Sequence, residues 1–191
     1  MLPLDLVSEP SQVERLSTAA FRKPFPGPTR YTVVDSPLGE LTLFGDGEAL
    51  SGVKTPATDG SPRTVPEGWI ADASPFIEVA RQLTAYFAGD LREFTLPLAP
   101  FGTEWQTRVW QGLTAIPYGR TASYRDLAHE LGRPTASRAV GMANSRNPIS
   151  IIVPCHRVIG ANGALTGYAG GLDRKKFLLA LEARVRQSSM R

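Results

Sequence analysis

Apolar residues recur along this chain in two rhythms. Between Tyr31 and Val53 they fall in short β-rich runs, Tyr31–Asp35, Leu41–Phe44 and Leu50–Val53. Ser36-Pro37-Leu38-Gly39 is a turn signature between the first two. From Phe76 the period becomes helical. Phe76, Ile77, Val79, Ala80, Leu83, Tyr86 and Phe87 share a face until Gly89, with Ser74 as the expected N-cap and Pro75 at the first helical position. Thr103 with Gln106 forms a capping box ahead of Trp105, Val109, Trp110 and Leu113, and this helix should stop at Ile116-Pro117-Tyr118-Gly119. Both tryptophans read as core, because they lie on the apolar stripe. Ser123 caps a short helix that ends at Gly132, and Thr135 starts another that ends at Asn147-Pro148. The run Ile149–Val153 predicts a buried strand. A last helix over about 173–185 turns Phe177, Leu178, Leu181 and Val185 inward.

These elements predict an α/β (α+β) protein in two units. Residues 1–30 form an extension and linker: Ser11-Gln12-Val13-Glu14 has the form of a capping box for a helix to about Ala20, and the prolines at 24, 26 and 28 then break regular structure. Residues 31–97 form a small sheet with one helix, 54–73 being a long surface loop, and Leu96-Pro97-Leu98-Ala99-Pro100 marks the boundary. Residues 101–187 form a mostly helical unit. Its two short helices across a Gly-containing turn resemble a helix-turn-helix of winged-helix type. A tight helix pair without a ligand has the same pattern.

With 191 residues, 42% of them hydrophobic, the chain can build a core and is too apolar for disorder. Charge is divided unevenly: residues 1–100 hold 8 basic and 13 acidic side chains, residues 101–191 hold 13 and 5. A basic half suits a polyanion, though a solvated surface explains it equally well. The helix from Thr135 is rich in small residues, Ala136, Ser137, Ala139, Gly141, Ala143 and Ser145, with Arg138 and Arg146 projecting. Small side chains allow close backbone approach to a groove and arginines neutralise phosphate. One cysteine, Cys155, excludes an internal disulfide, and with only His129 and His156 beside it no Cys/His structural zinc site can form. No metal and no cofactor are expected. The N-terminus does not read as a signal peptide, and no stretch is apolar for the length of a membrane span. An intracellular protein, cytoplasmic or nuclear according to its source, is expected.

Chemistry concentrates at Pro154-Cys155-His156-Arg157-Val158. A thiol near neutral pH is only a few per cent thiolate, so a nucleophilic cysteine needs a base or a positive field. His156 and Arg157 are groups of both types. Neighbours in an extended segment point apart, so an intervening water suits Cys155 and His156 better than a direct bond. Glu182 borders the apolar face of the last helix, where an unpaired carboxylate costs stability and a histidine is the obvious partner. Spacing alone does not decide between this triad and a solvated glutamate.

The stretch from Ile116 to Glu182, with PCHRV at 154–158, closely resembles the O6-alkylguanine-DNA alkyltransferases. The order Tyr124, Arg138, Asn147, Cys155, His156, Tyr168, Glu182 fits throughout, and the resemblance covers about residues 31–185. It implies direct reversal of O6-alkylguanine, with O4-alkylthymine as a second lesion, in a stoichiometric reaction that uses each molecule once. Cys155 would accept the alkyl group, His156 act as base through water, Glu182 fix its tautomer and Asn147 brace the turn. Tyr124 would donate to the guanine and help rotate the target phosphate, and Arg138 would fill the space of the extruded nucleotide. Ala136, Ala139, Gly141 and Ser145 would lie along the minor groove. Val158 and Tyr168 would wall the pocket together with Ala169 and Gly170, backbone groups of Val158 and Ala169 reading the base edge. Duplex DNA carrying the lesion is the implied partner of a monomer, with single-stranded DNA and cooperative binding left open. Two rivals make different predictions. A winged-helix regulator with an inert Cys155 binds damaged and normal duplexes alike, and a Cys155 hydrolase turns over activated esters without DNA.

Overall fold

The computed structural model describes residues 20–24, 27 and 29–188. Strands β1 (Ala20–Phe21), β2 (Arg30–Val34), β3 (Leu41–Gly45), β4 (Leu50–Lys54), β5 (Ile70–Ala71) and β6 (Pro97–Leu98) form one sheet in the order β1-β6-β4-β3-β2-β5. The meander β2-β3-β4 is antiparallel, Tyr31 facing Phe44 and Leu43 facing Val53, while β1, β5 and β6 add parallel pairings. Helix α1 (Ile77–Ala88) packs Val79, Leu83 and Tyr86 into the core and ends on left-handed Gly89. The helical part follows: α2 (Glu104–Thr114), β7 (Ala122–Ser123), α3 (Tyr124–Glu130), α4 (Ser137–Ser145), β8 (Val158–Ile159) and α5 (Leu172–Ser188). The mixed α/β architecture expected from the sequence holds.

Local signals set several boundaries. The capping box at Thr103 forms, Thr103 Oγ1 accepting from the Gln106 N–H as Gln106 Oε1 accepts from the Thr103 N–H, and the expected cap at Ser123 proves to be a second box, exchanging the same pair with Asp126. Helices α3 and α4 pack together across a turn holding left-handed Gly132. Trp110 is buried and donates its indole N–H to the Ala143 carbonyl at 2.9 Å, fastening α2 to α4.

Other expectations give way to tertiary context. Ile149–Val153 is no strand: only Ile149 bridges to Val53, and the chain then turns, with Ile151 at φ 75°. Left-handed geometry is strained for a β-branched residue, and Asn147 offsets it by accepting from the Ile149 N–H at 3.0 Å and donating to the Val153 carbonyl at 2.8 Å. The expected boundary at 96–100 contains β6, which lies inside the sheet between β1 and β4. The expected loop over 54–73 includes β5, and the extension contributes β1 and Arg30 of β2. The helix expected from Ser11 lies outside the described residues except for Ala20, which is in β1. Ser74 does not cap α1; its hydroxyl donates to Asp72, and Ser74–Phe76 forms a 3-10 turn that leads into the helix. Helix α4 begins at Ser137, with Ala136 rather than Thr135 in the cap position. Phe177 is 40% exposed, whereas Lys175 and Glu182 are buried on the inner side of α5.

One apolar core runs through both parts, from Leu41, Leu43 and Val53 of the sheet to Val109, Trp110, Leu178 and Leu181 of the helices. Arg174 of α5 clamps them further, donating to the carbonyls of Leu38, Pro56 and Ala57. Among the described residues no helix is long and apolar enough to cross a membrane.

Candidate active site

Cys155, His156 and Arg157 form a single 3-10 turn between the strained turn and β8. Parallel pairing of Ala122 with Val158 sets this segment against the start of α3. Cys155 is 5% exposed. Burial pushes the Cys155 thiol above its ordinary range; Asn147 and the charge of Lys175 offset part of that. A protein in this state holds a protonated thiol at neutral pH, so the nucleophile has to be generated by a base.

His156 is fully buried, and its Nε2 lies 2.9 Å from Glu182 Oε1. With Nε2–H donated to a carboxylate, Nδ1 carries the lone pair, and it has no partner among the described residues. Burial lowers the imidazole's affinity for a proton although the Glu182 carboxylate raises it, so the ring is neutral near pH 7. The fully buried Glu182 is no solvated glutamate. It accepts from the Tyr86 hydroxyl at 2.8 Å, the Gly119 N–H at 2.9 Å and the Arg157 guanidinium at 2.9 and 3.0 Å. Burial would raise this carboxyl, but His156 and the permanent charge of Arg157 prevail and hold it at about 2. Arg157 also donates to the Ile116 carbonyl at 2.6 Å.

Around this centre, Val158 is buried, with its N–H bonded to the Cys155 carbonyl and its own carbonyl accepting from Lys175 Nζ at 2.6 Å. That carbonyl keeps a second lone pair that Lys175 does not use. Lys175 also donates to Thr166 at 2.7 Å, so it ties the 158–168 loop to α5. Burial pushes the Tyr168 phenol well above its ordinary range, and its buried hydroxyl has no partner among the described residues. Ala169 is exposed and Gly170 buried; a Cβ at Gly170 would come within 2.8 Å of the Tyr168 ring and 3.1 Å of Thr55 Oγ1. Tyr124, half-buried, leans its hydroxyl toward the Thr166 carbonyl at 3.4 Å and its ring toward Gly141.

The remaining residues stand apart from the thiol. On α4 and its cap, Arg138, Ala139, Ser145 and Arg146 are exposed and Ala136 and Gly141 half-buried. Val140, Ala143 and Asn144 hold the opposite face inside. Sequence reasoning missed Tyr86, Gly119 and Lys175. Tyr86 looks like any core aromatic on its helix, and nothing local points to a carboxylate 96 residues away.

A buried cysteine beside a carboxylate-anchored histidine, set behind an exposed helix-turn-helix rich in arginine, defines a DNA-directed protein that reacts through its own thiol. Residues 29–100 match the ribonuclease-like domain and residues 104–184 the DNA binding domain of 6-O-methylguanine DNA methyltransferase. A methylated-DNA–protein-cysteine methyltransferase of Methanosarcina acetivorans is 55% identical over 80% of this chain and 97% of its own length. One of Mycobacterium leprae is 54% identical over 78% and 89%. The crystal structure of Mycobacterium tuberculosis OGT in complex with DNA superposes with a TM-score of 0.75 at 49% identity, covering 82% of this chain and 94% of that one. The chain belongs to the 6-O-methylguanine DNA methyltransferase family.

Proposed function

We propose that the protein repairs alkylated DNA by moving the alkyl group from O6 of guanine onto Cys155 Sγ. The observation that carries this reading is the pairing of a buried thiol with His156, whose Nε2 is tied to Glu182 while Nδ1 is free to take a proton. The Cys155 proton passes through one water to Nδ1, and the thiolate attacks the alkyl carbon. The S–C bond forms as the C–O6 bond breaks, the guanine anion that leaves takes a proton from the Tyr124 hydroxyl, and the proton held at His156 returns through water to restore that hydroxyl. Glu182 holds the imidazole in the productive tautomer and stabilises its charged form. Asn147 keeps the turn that carries Cys155 in place, and Val158, Tyr168, Ala169 and Gly170 enclose the base.

The product is a thioether, a bond that water does not cleave, so each molecule acts once and needs neither metal nor cofactor. A reacting atom inside a duplex is out of reach, and the nucleotide is turned out at a cost of a few kcal/mol. Arg138 fills the gap it leaves. Ala136, Ala139, Gly141 and Ser145 let α4 sit in the minor groove, whose nearly sequence-blind surface suits lesions in any context. In this reading residues 101–187 do the chemistry, 31–97 support them, and the protein acts as a monomer in the compartment that holds the chromosome. O4-alkylthymine offers the same alkyl–oxygen bond and is a second substrate.

The test is peptide mass spectrometry after mixing with a duplex carrying one O6-methylguanine. A single methyl on the Cys155 peptide, saturating at one per protein, is the expected result. An intact lesion beside folded, unmodified protein would overturn the reading.

A further inference from the structure

Glu182 Oε1 faces more donors than it has places for. The Tyr86 hydroxyl lies at 2.8 Å, His156 Nε2 at 2.9 Å and Arg157 Nη2 at 2.9 Å. A carboxylate oxygen offers about two lone-pair directions. The second oxygen is taken by the Gly119 N–H at 2.9 Å and Arg157 Nε at 3.0 Å. Tyr86 and His156 therefore compete for the same oxygen. The ring of Tyr86 packs against Phe87, Phe94 and Tyr118, work that a phenylalanine would do as well. Its hydroxyl is what sets it apart, and a buried hydroxyl costs stability unless it is bonded.

We propose that Tyr86, reaching in from the sheet-bearing half, is a positioning residue for proton transfer at His156, because its hydroxyl limits how strongly Glu182 draws on the imidazole. The role rests on the reading of His156 as the base. By drawing density from Oε1, the hydroxyl makes the carboxylate a weaker partner for the charged imidazolium. The proton taken from Cys155 is then held less tightly. Burial and the neighbouring carboxylate push the Tyr86 phenol far above its ordinary range, so it remains a donor at every working pH. The charged and titratable groups that face His156 are Glu182 and Lys175 from α5 and Arg157 and Cys155 from its own turn; Tyr118 completes the set around Glu182. Cys155 and Tyr118 are both pushed upward by burial, away from the range in which an imidazole titrates.

The sign follows. Loss of the hydroxyl leaves Oε1 more basic, the imidazolium better stabilised and the His156 midpoint higher. A stronger donor at the same place lowers it. The chain has only two histidines, so nitrogen-15 labelling of histidine lets NMR follow both rings, with exposed His129 as the internal reference. Tyr86→Phe should raise the His156 midpoint by roughly half a unit to one unit, the size of one neutral hydrogen bond. Tyr86→3-fluorotyrosine keeps the shape, sharpens the donor and should lower it, while His129 stays fixed in both. The acid limb of the alkyl-transfer rate should move with the midpoint. An unmoved His156 midpoint in either folded variant overturns the proposal. If the phenylalanine variant does not fold, the fluorotyrosine variant decides alone. The titration needs no substrate, so a wild-type protein that transfers no alkyl group would sink the proposed function and leave the measured coupling between Tyr86 and His156 standing apart from it.

Discussion

The carboxylate of Glu182 collects donors from four residues on three segments, whereas the outward face of α4 presents Arg138 and Arg146 with no ion pair among the described residues. Met142 stands beside them at 57% exposure, an apolar side chain left to solvent. Inside, every lone pair of Glu182 is committed before any substrate arrives, which keeps the reorganisation during reaction small. Outside, the helix leaves its charge uncompensated, which is what the proposed docking on a phosphate backbone requires. Reactivity is thus built into the resting protein, and recognition is completed by the nucleic acid.

The sharpest way to separate the two regions is Cys155→Ser. Alkyl transfer should vanish, while affinity for a lesion-bearing duplex in a filter-binding or anisotropy titration stays close to wild type. Next comes the interior itself. Glu182→Gln leaves the Arg157 guanidinium buried without its counter-charge, and a loss of about 3–5 kcal/mol in chemical denaturation is expected. A change below about 1 kcal/mol would break the comparison, since the cluster would then hold nothing together.

Acid should reveal the same cluster. Glu182 titrates at about 2 in the folded protein against an ordinary 4.5, so its stabilisation is complete above 4.5 and is lost as pH falls toward 2. That shift corresponds to about 3 kcal/mol. His156 acts in the same direction from higher up: buried and neutral, it binds its proton later than the unfolded chain, whose midpoint is near 6.5. The denaturation midpoint should therefore decline steadily below pH 6.5, and Glu182→Gln should flatten the part below 4.5. A stability profile level down to pH 3 contradicts this account.

The outer face calls for different readouts. Arg138→Ala should slow repair in duplex DNA on the order of 100-fold, the rate equivalent of a few kcal/mol of extrusion cost, and leave the reaction with free O6-methylguanine unchanged. Equal losses on both would place Arg138 in the chemistry rather than in the stack. The smallest effect belongs to Arg146→Ala, which should weaken all duplexes alike and reduce the salt dependence of binding by about one phosphate contact.

What could be read in advance follows the distance over which each feature is decided. The capping box at Thr103 and the cap at Ser123 lie within four residues and form as the sequence indicates. Cys155 and His156 are neighbours, and their meaning lies in their chemistry. Glu182 was legible as a carboxylate at the margin of an apolar stripe, but its burial depends on Arg157 and Tyr86 arriving from elsewhere. The β-branched run at 149–153 reads as a strand because propensity takes no account of Asn147, whose amide occupies the backbone groups a neighbouring strand would need. Lys175 looks like part of a solvated face and lies buried because two carbonyls, of Val158 and Thr166, await its ammonium.

Strand β6 joins the two halves, and it is held on both sides, by β1 and by β4, with the Ala99 N–H adding a further bond to the Leu50 carbonyl. A connector of this kind is no hinge. Heat that loosens the sheet must also release the route into α2 and withdraw the helix that carries Tyr86. Calorimetry should therefore find one heat-absorption peak whose van't Hoff and measured enthalpies agree, so that the half of the molecule remote from the thiol sets the temperature at which the thiol stops working.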